Sequence, residues 1–224
     1  MPPKKVNNLY YFSVEGQTEQ WYLEWLQKTI NSDPSIPQTV TFNIQIQPDP
    51  SQRVKSLNIL ATSRRRDLYH LSDYESNDPE HHKKFITTMD KMSEANKSGK
   101  SVRFVFGYSN FTFDLWMILH KIDCNTPYSN RKQYLSPINS AFQEHFQSMA
   151  QFKEENNFKR CLKKLCLSDV IDAIRRSKEI MQRNEANGYI LCQYKGFEYY
   201  RENPSLEIGF IIEKILKTIG ALAK

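Results

Sequence analysis

Hydrophobic positions in the first half of the chain follow strand-like and helix-like patterns in turn. Residues 9–14 (LYYFSV) form a short apolar run, typical of a strand covered on both faces. Residues 40–46 alternate apolar and polar side chains, which is the period of a half-buried strand. Two more strands are predicted at residues 68–72 and 102–108.

The segments between these strands have the spacing of amphipathic helices. The first helix follows Thr18, whose hydroxyl can cap it, and stops at the polar residues 31–34. The second is predicted over residues 54–61 and closes at the basic residues 64–66, since cations favour a helix C-terminus. The third covers residues 79–97. Strands alternating with helices predict an α/β fold with a mostly parallel sheet and flanking helices.

The pattern changes after Asn110, where helical spacing predominates. Helices are predicted over five segments: residues 113–122, 135–149, 152–167, 168–182 and 205–216. We therefore expect a helical C-terminal lobe at residues 124–224, packed on an α/β core at residues 1–123.

Composition places the chain among ordinary globular proteins. It has 224 residues, of which 39% are hydrophobic and 25% charged, and no apolar run is long enough to cross a membrane. No secretory signal pattern follows Met1, so we expect a cytoplasmic protein with no membrane partner. The four cysteines form no CxxC pair and are expected to be reduced. The net charge of +6 favours a polyanionic partner without identifying one.

Acidic residues follow two of the predicted strands. Glu15 ends the first strand, with Glu19 one helical turn later, and Asp73 and Glu75 end the third. Ligands of parallel α/β sheets bind at the carboxyl ends of strands, and clustered carboxylates suit a divalent cation. The alternative is that the two glutamates stabilise a helix N-terminus while residues 73–78 form a solvated turn.

Four segments together resemble a known family. They are FSVEGQTEQWYLEWL, YHLSDYES, SNFTFDLWMILHK and ENPSLEIGFIIEKIL, in this order along nearly the whole chain. Their order and spacing resemble the RloB and AbiLii group of Toprim-related phage-defence proteins. The resemblance implies a Toprim-like core and metal-dependent phosphodiester chemistry. Phe111 replaces a proline of the family pattern, and Asp114 stands where glutamate is usual.

The resemblance also implies roles for individual acids. Glu15 corresponds to the first-strand acid that acts near the scissile phosphate, and Asp73 and Glu75 to the pair that holds Mg²⁺ or Mn²⁺. Glu19 is a further candidate ligand, and Asp114 a further candidate catalytic residue. We therefore expect catalytic roles for Glu15, Asp73, Glu75 and Asp114, and metal binding by the first three of these and Glu19.

The third segment contains three polar residues in an apolar setting. Asp114 opens a helix that is apolar almost all round, so its carboxylate requires a partner. Asn110 and His120 are candidates for substrate binding. Their alternatives are a turn or cap residue for Asn110 and a hydrogen-bonded core histidine for His120.

Basic residues and histidines outside these segments give weaker predictions. Four basic residues of the second half could follow a phosphate backbone, although taken singly each is better explained by a solvated helix face: Lys163, Lys164, Arg175 and Arg176. Asp78, His81 and His82 have the composition of a metal triad, but the start of a polar helix favours a solvated face.

These observations predict a Mg²⁺- or Mn²⁺-dependent endonuclease that acts as an effector of antiphage defence. The substrate is RNA, with tRNA favoured by the resemblance, or DNA. The chain has no P-loop, GxGxxG or GxSxG motif, so it is not expected to be an ATPase itself. The resemblance implies that sensing and energy use belong to a separate ATPase of the AAA or ABC type. A homo-oligomer of this chain is an open alternative to a monomer. The alternative function is a catalytically degenerate subunit that binds nucleic acid or joins a defence complex.

Overall fold

The centre of the protein is a five-stranded, mostly parallel sheet. This computed structural model describes residues 5–56, 66–97 and 102–223. Seven strands lie in these ranges: β1 (Asn7–Val14), β2 (Thr39–Ile46), β3 (Arg66–Asp73), β4 (Val102–Asn110), β5 (Cys192–Tyr194), β6 (Phe197–Tyr199) and β7 (Ser205–Leu206). The main sheet has the order β2-β1-β3-β4-β7, in which only β7 is antiparallel to its neighbour, and β5 and β6 form a separate hairpin.

Helices cover both faces of the main sheet. They are α1 (Gln17–Ser32), α2 (Pro50–Ser56), α3 (Pro79–Lys97), α4 (Asp114–Leu119), the 3₁₀ helix Arg131–Tyr134, α5 (Leu135–Phe142), α6 (Met149–Phe152), α7 (Glu155–Leu162), α8 (Leu167–Ala186) and α9 (Ile208–Thr218). One face of the sheet, which includes Phe12 and Leu71, packs with α1, α4, α8 and α9 in the larger hydrophobic core. The other face, which includes Leu68 and Tyr108, packs with α3 and the β5–β6 hairpin.

The structure confirms the α/β fold class and the four parallel strands of the first half. Alternating burial along β2 follows from its edge position, and the buried residues of β3 and β4 follow from helices on both sides. The second predicted helix begins earlier than expected, at Pro50, and is described as far as Ser56. Its predicted continuation over residues 57–65 lies outside the described residues.

The second half contains strands that the sequence reading missed. The predicted helix at residues 205–216 begins only at Ile208, because Ser205 and Leu206 pair with Asn110 and Ser109 of β4. The β5–β6 hairpin also lies in this half. Helical spacing over residues 205–216 hid the strand, since two residues are too few to show an alternating period.

Two other predicted helices are shorter than expected. The helix predicted at residues 135–149 ends at Phe142, because Gln143 takes a left-handed conformation with φ 51°. Of the helix predicted at residues 152–167, only residues 155–162 form α7, and residues 149–152 before it form the separate short helix α6. The division into a core and a lobe at residue 123 stays a prediction, although the larger hydrophobic core draws residues from both sides of it.

Two further features of the fold concern the cysteines and the apolar character of the helices. All four cysteines are free thiols. Within the described ranges, no helix is both long enough and apolar enough to cross a membrane.

Candidate functional site

The carboxyl ends of β1 and β3 bring the predicted acids together. The parallel register pairs Val14 with Leu71, so Glu15 and Asp73 follow at the same edge of the sheet. Glu19 reaches this edge from the first turn of α1. Asp114 reaches it from the first turn of α4, directly after β4. We call Glu15, Glu19, Asp73 and Asp114 the carboxylate cluster.

Backbone and hydroxyl donors hold two of these carboxylates. The Ser72 hydroxyl donates to Glu15 Oε1 at 2.9 Å, and the backbone N–H of Asp73 lies 3.2 Å from Glu15 Oε2. The backbone N–H of Phe113 donates to Asp73 Oδ1 at 2.7 Å. Because these donors belong to β3 and to the start of α4, the fold itself fixes Glu15 and Asp73.

Asp114 is the most deeply buried member of the carboxylate cluster. Its Oδ2 lies 2.9 Å from Lys153 Nζ and accepts the Thr112 hydroxyl at 2.9 Å. Asp114 is only 1% exposed, and its Oδ1 has no hydrogen-bond partner among the described residues. The expected partner of this buried acid is therefore Lys153, 39 residues later in the sequence, and one carboxylate oxygen is left without a partner among the described residues.

The carboxylate cluster carries more negative charge than its lysine neutralises. Burial, and then the charges of Glu19 and Glu15, hold the pKa of Asp73 well above its usual value. Burial raises the pKa of Glu19 as well, while Lys153 opposes the shift. Burial alone would lower the pKa of Lys153, but Asp114, Asp73 and Glu19 raise it on balance. A further cation at this edge would relieve the repulsion among these acids.

Glu75 lies at the rim of the site and is engaged by basic side chains. Its Oε2 is 2.7 Å from His81 Nε2, and Lys84 Nζ donates to its Oε1 at 3.1 Å. The His81 ring also contacts Asp78, whereas His82 bonds the Tyr74 hydroxyl. The three residues Asp78, His81 and His82 therefore do not converge on one point.

A groove of about 750 Å³ opens beside the carboxylate cluster. Glu75 and Asp114 contribute to its wall together with three basic residues, Arg131, Lys132 and Lys153. None of these three basic residues was predicted from the sequence to belong to the site. The Arg131–Lys132 pair was visible as a basic dipeptide, but nothing local to Lys153 indicates that it contacts Asp114.

Two residues predicted to bind substrate are buried instead. The Asn110 amide donates to the carbonyls of Arg201 and Glu202 at 3.0 and 3.2 Å, which ties the approach to β7 to the end of β4. His120 is 1% exposed; its Nδ1–H donates to the Trp116 carbonyl at 2.8 Å and its Nε2 accepts the Tyr22 hydroxyl at 3.2 Å. The contacts of His120 match its structural alternative, a hydrogen-bonded core histidine. Asn110 is neither a turn residue nor a helix cap, since it ends β4 and its amide bonds a distant segment.

The basic pairs of the second half lie away from the groove. Lys164 binds Glu144, Arg175 binds Glu179, and Arg176 binds Asp123, whereas Lys163 is exposed. None of these four basic residues lines the groove beside the carboxylate cluster. Their predicted role in substrate binding stays a prediction, with three of the four charges already matched by acids.

The donor chemistry of the cluster fits a hard divalent cation. All its candidate ligand atoms are carboxylate oxygens, which Mg²⁺ and Mn²⁺ prefer, and the buried Asp114 Oδ1 has no partner in the described ranges. In the described part of the chain, however, no three His, Cys, Asp or Glu side chains are already arranged around one metal-sized point. The side chains would therefore have to adjust around the ion.

Comparison with known proteins gives one match. A family model described as "RloB-like protein" matches residues 10–215, which is most of the chain. No curated protein and no solved structure is significantly similar to it.

Proposed function

The chain belongs to the RloB-like protein family, and on that premise we propose that it is a Mg²⁺- or Mn²⁺-dependent endonuclease of antiphage defence. The observation that carries the proposal is the carboxylate cluster. There the buried Asp114 keeps one oxygen without a partner among the residues that the structure describes, beside a groove with three basic residues. The carboxylates suit a metal ion and the adjacent basic side chains suit the phosphates of a nucleic acid, so both could bind at this one place.

The chain's own residues divide into three groups in this proposal. Glu15, Glu19 and Asp73 of the carboxylate cluster would hold the cation, which when bound neutralises phosphate charge and lowers the pKa of a bound water. Glu75 would join them from the rim on release from His81 and Lys84. Asp114 keeps Lys153 at the same edge through their 2.9 Å ion pair. The exposed side chains of Arg131 and Lys132 would bind phosphates of the substrate on either side of the cleaved bond.

The proposed substrate is RNA, including tRNA, or DNA. A phosphodiester backbone is common to these polymers, and the groove offers charge rather than a base-specific pocket. The direct test incubates the purified protein with tRNA, single-stranded RNA and duplex DNA, with Mg²⁺, with Mn²⁺ and with EDTA. We expect cleavage of at least one substrate that requires the divalent cation.

Two variants test the site, and one variant of the same strand serves as control. Glu15→Gln and Asp73→Asn should abolish cleavage and leave the fold intact, because each removes one anionic ligand and little volume. Asp67→Asn is the matched control: Asp67 lies at the opposite end of β3, where it binds Arg103 and Lys214. Full cleavage by either site variant would refute the proposed site.

A second candidate function is a degenerate subunit that binds nucleic acid without cutting it. The absence, within the described residues, of three preassembled metal ligands favours this alternative. Binding measured by fluorescence anisotropy, combined with no cleavage under any metal condition, would identify it. The Glu15→Gln variant would then bind nucleic acid as tightly as the wild type.

We also propose that a separate ATPase of the AAA or ABC type controls this chain. The support is the family membership, together with a sequence that has no P-loop of its own. Co-expression with the products of neighbouring genes and size-exclusion chromatography test the idea. A chain that is fully active and toxic alone, and forms no stable complex, would contradict it.

A further inference from the structure

Lys153 follows directly after the short helix α6, which places it beside the carboxylate cluster. The Ser148 hydroxyl caps α6 by accepting the Gln151 N–H, and Phe152 is fully buried. The backbone N–H of Lys153 donates to the Met149 carbonyl at 3.0 Å, which closes the last turn of α6. The position of this lysine is therefore set by the backbone and not only by its ion pair.

The ammonium of Lys153 occupies the place in which a second cation would be expected. Two-metal sites hold their ions roughly 4 Å apart and share carboxylates between them. Here Asp114 Oδ2 already binds Lys153 Nζ at 2.9 Å, and the Lys153 charge also acts on Asp73 and Glu19. A second divalent ion at Asp114 would have to displace this ammonium or sit beside it against Coulomb repulsion.

We propose that Lys153 is a positioning residue that supplies the second positive charge of the carboxylate cluster and limits the cluster to one divalent cation. This inference rests on the proposed function, since it assumes that the cluster binds a divalent cation at all. Lys153 orients Asp114 through their 2.9 Å ion pair, while the remaining carboxylates are left for the single ion. The arrangement of a fixed ammonium and one exchangeable cation differs from a symmetric pair of metal ions.

The test counts Mn²⁺ ions bound per chain, using electron paramagnetic resonance of free Mn²⁺ during titration of the intact protein. We expect one ion for the wild type and two for Lys153→Met, because the variant leaves the Asp114 carboxylate buried without its cation. Lys153→Arg retains the charge and should bind one ion. Lys159→Met is the matched control, since it removes an equally exposed lysine that pairs with Glu155 on the next helix; it should also bind one ion.

A double variant ties the second ion to Asp114. Lys153→Met combined with Asp114→Asn removes both charges of the pair and should bind one ion again. Circular dichroism verifies the fold of each variant, and if Lys153→Met does not fold, Lys153→Gln takes its place with the same expected count of two ions.

The outcomes separate this inference from the proposed function. Two ions in the wild type, or one ion in a folded Lys153→Met with unchanged affinity, would overturn the role of Lys153 and leave a metal-dependent nuclease intact. Two ions in the double variant would also overturn it, because the second site would not depend on Asp114. No Mn²⁺ binding by the wild type would overturn both proposals.

Discussion

Replacing His120 should change how the stability of the protein depends on pH. The neutral ring uses both nitrogens inside the core, as a donor to the Trp116 carbonyl and as an acceptor from the Tyr22 hydroxyl. Burial lowers the pKa of His120 to about 4, although Asp169 raises it slightly and Lys121 lowers it. The folded protein therefore disfavours the imidazolium strongly.

The sign and size of the effect follow from linkage. An unfolded histidine has a pKa of about 6.5, so between pH 6.5 and pH 4 the unfolded chain binds a proton that the folded chain does not. The stabilising contribution of the neutral ring is therefore complete above the unfolded pKa and is lost as the pH falls toward the folded pKa. Between about pH 7.5 and pH 4.5 this loss amounts to roughly 2.5 kcal/mol.

Urea unfolding of the wild type and His120→Gln at both pH values measures this contribution. Burial lowers the pKa of His70 to about 3, which acts in the same direction, whereas burial raises the pKa of Glu207 to about 7, which acts in the opposite direction. Both groups are present in both proteins, so the difference between the two pH slopes isolates His120. We expect the wild type to lose about 2.5 kcal/mol more than the variant. Equal losses in the two proteins would refute the assignment of a buried, neutral His120.

Three other expectations concern packing, charge and substrate. Gly209→Ala places a Cβ 2.9 Å from Ser177 Cβ, so it should lower the free energy of unfolding in urea by about 1–3 kcal/mol. A companion Ser177→Gly change should recover most of that loss. Asp73→Asn should raise the melting temperature at neutral pH, because burial and neighbouring acids disfavour the ionised carboxylate; a lower melting temperature would contradict the charge balance described above. Arg131→Ala with Lys132→Ala should weaken nucleic-acid binding and reduce its salt dependence by about two counterions, whereas an unchanged salt slope would place the substrate elsewhere.

Much of the first half could be predicted because its signals are local. The four parallel strands each carry their own hydrophobic period, and parallel pairing then places Glu15 and Asp73 at one edge without further information. The burial of Asp114 was also predictable, since an acid that opens an apolar helix must lie inside the fold.

The remaining features depend on contacts between distant parts of the chain. Lys153 meets Asp114 only because α6 packs near the sheet edge, and an isolated lysine has no pattern that indicates its partner. The two residues of β7 carry too short a pattern to be recognised, and their strand is defined by hydrogen bonds to β4. The sequence alone could not choose between substrate binding and a core position for His120, because the Tyr22 hydroxyl that bonds its ring lies 98 residues away in the sequence.

The pairing of β7 with β4 has a consequence for synthesis of the protein. Asn110 leaves the ribosome roughly a hundred residues before its partner Ser205, and at about 5–20 residues per second this takes on the order of 5–20 s. During that interval the end of β4 is an unpaired strand edge, which can pair with other chains. The Asn110 amide also lacks its hydrogen bonds to the carbonyls of Arg201 and Glu202 until those residues have been synthesised. Nascent chains should therefore depend on chaperone protection until residue 205 has emerged, and slow translation of residues 111–204 should lower the yield of native protein.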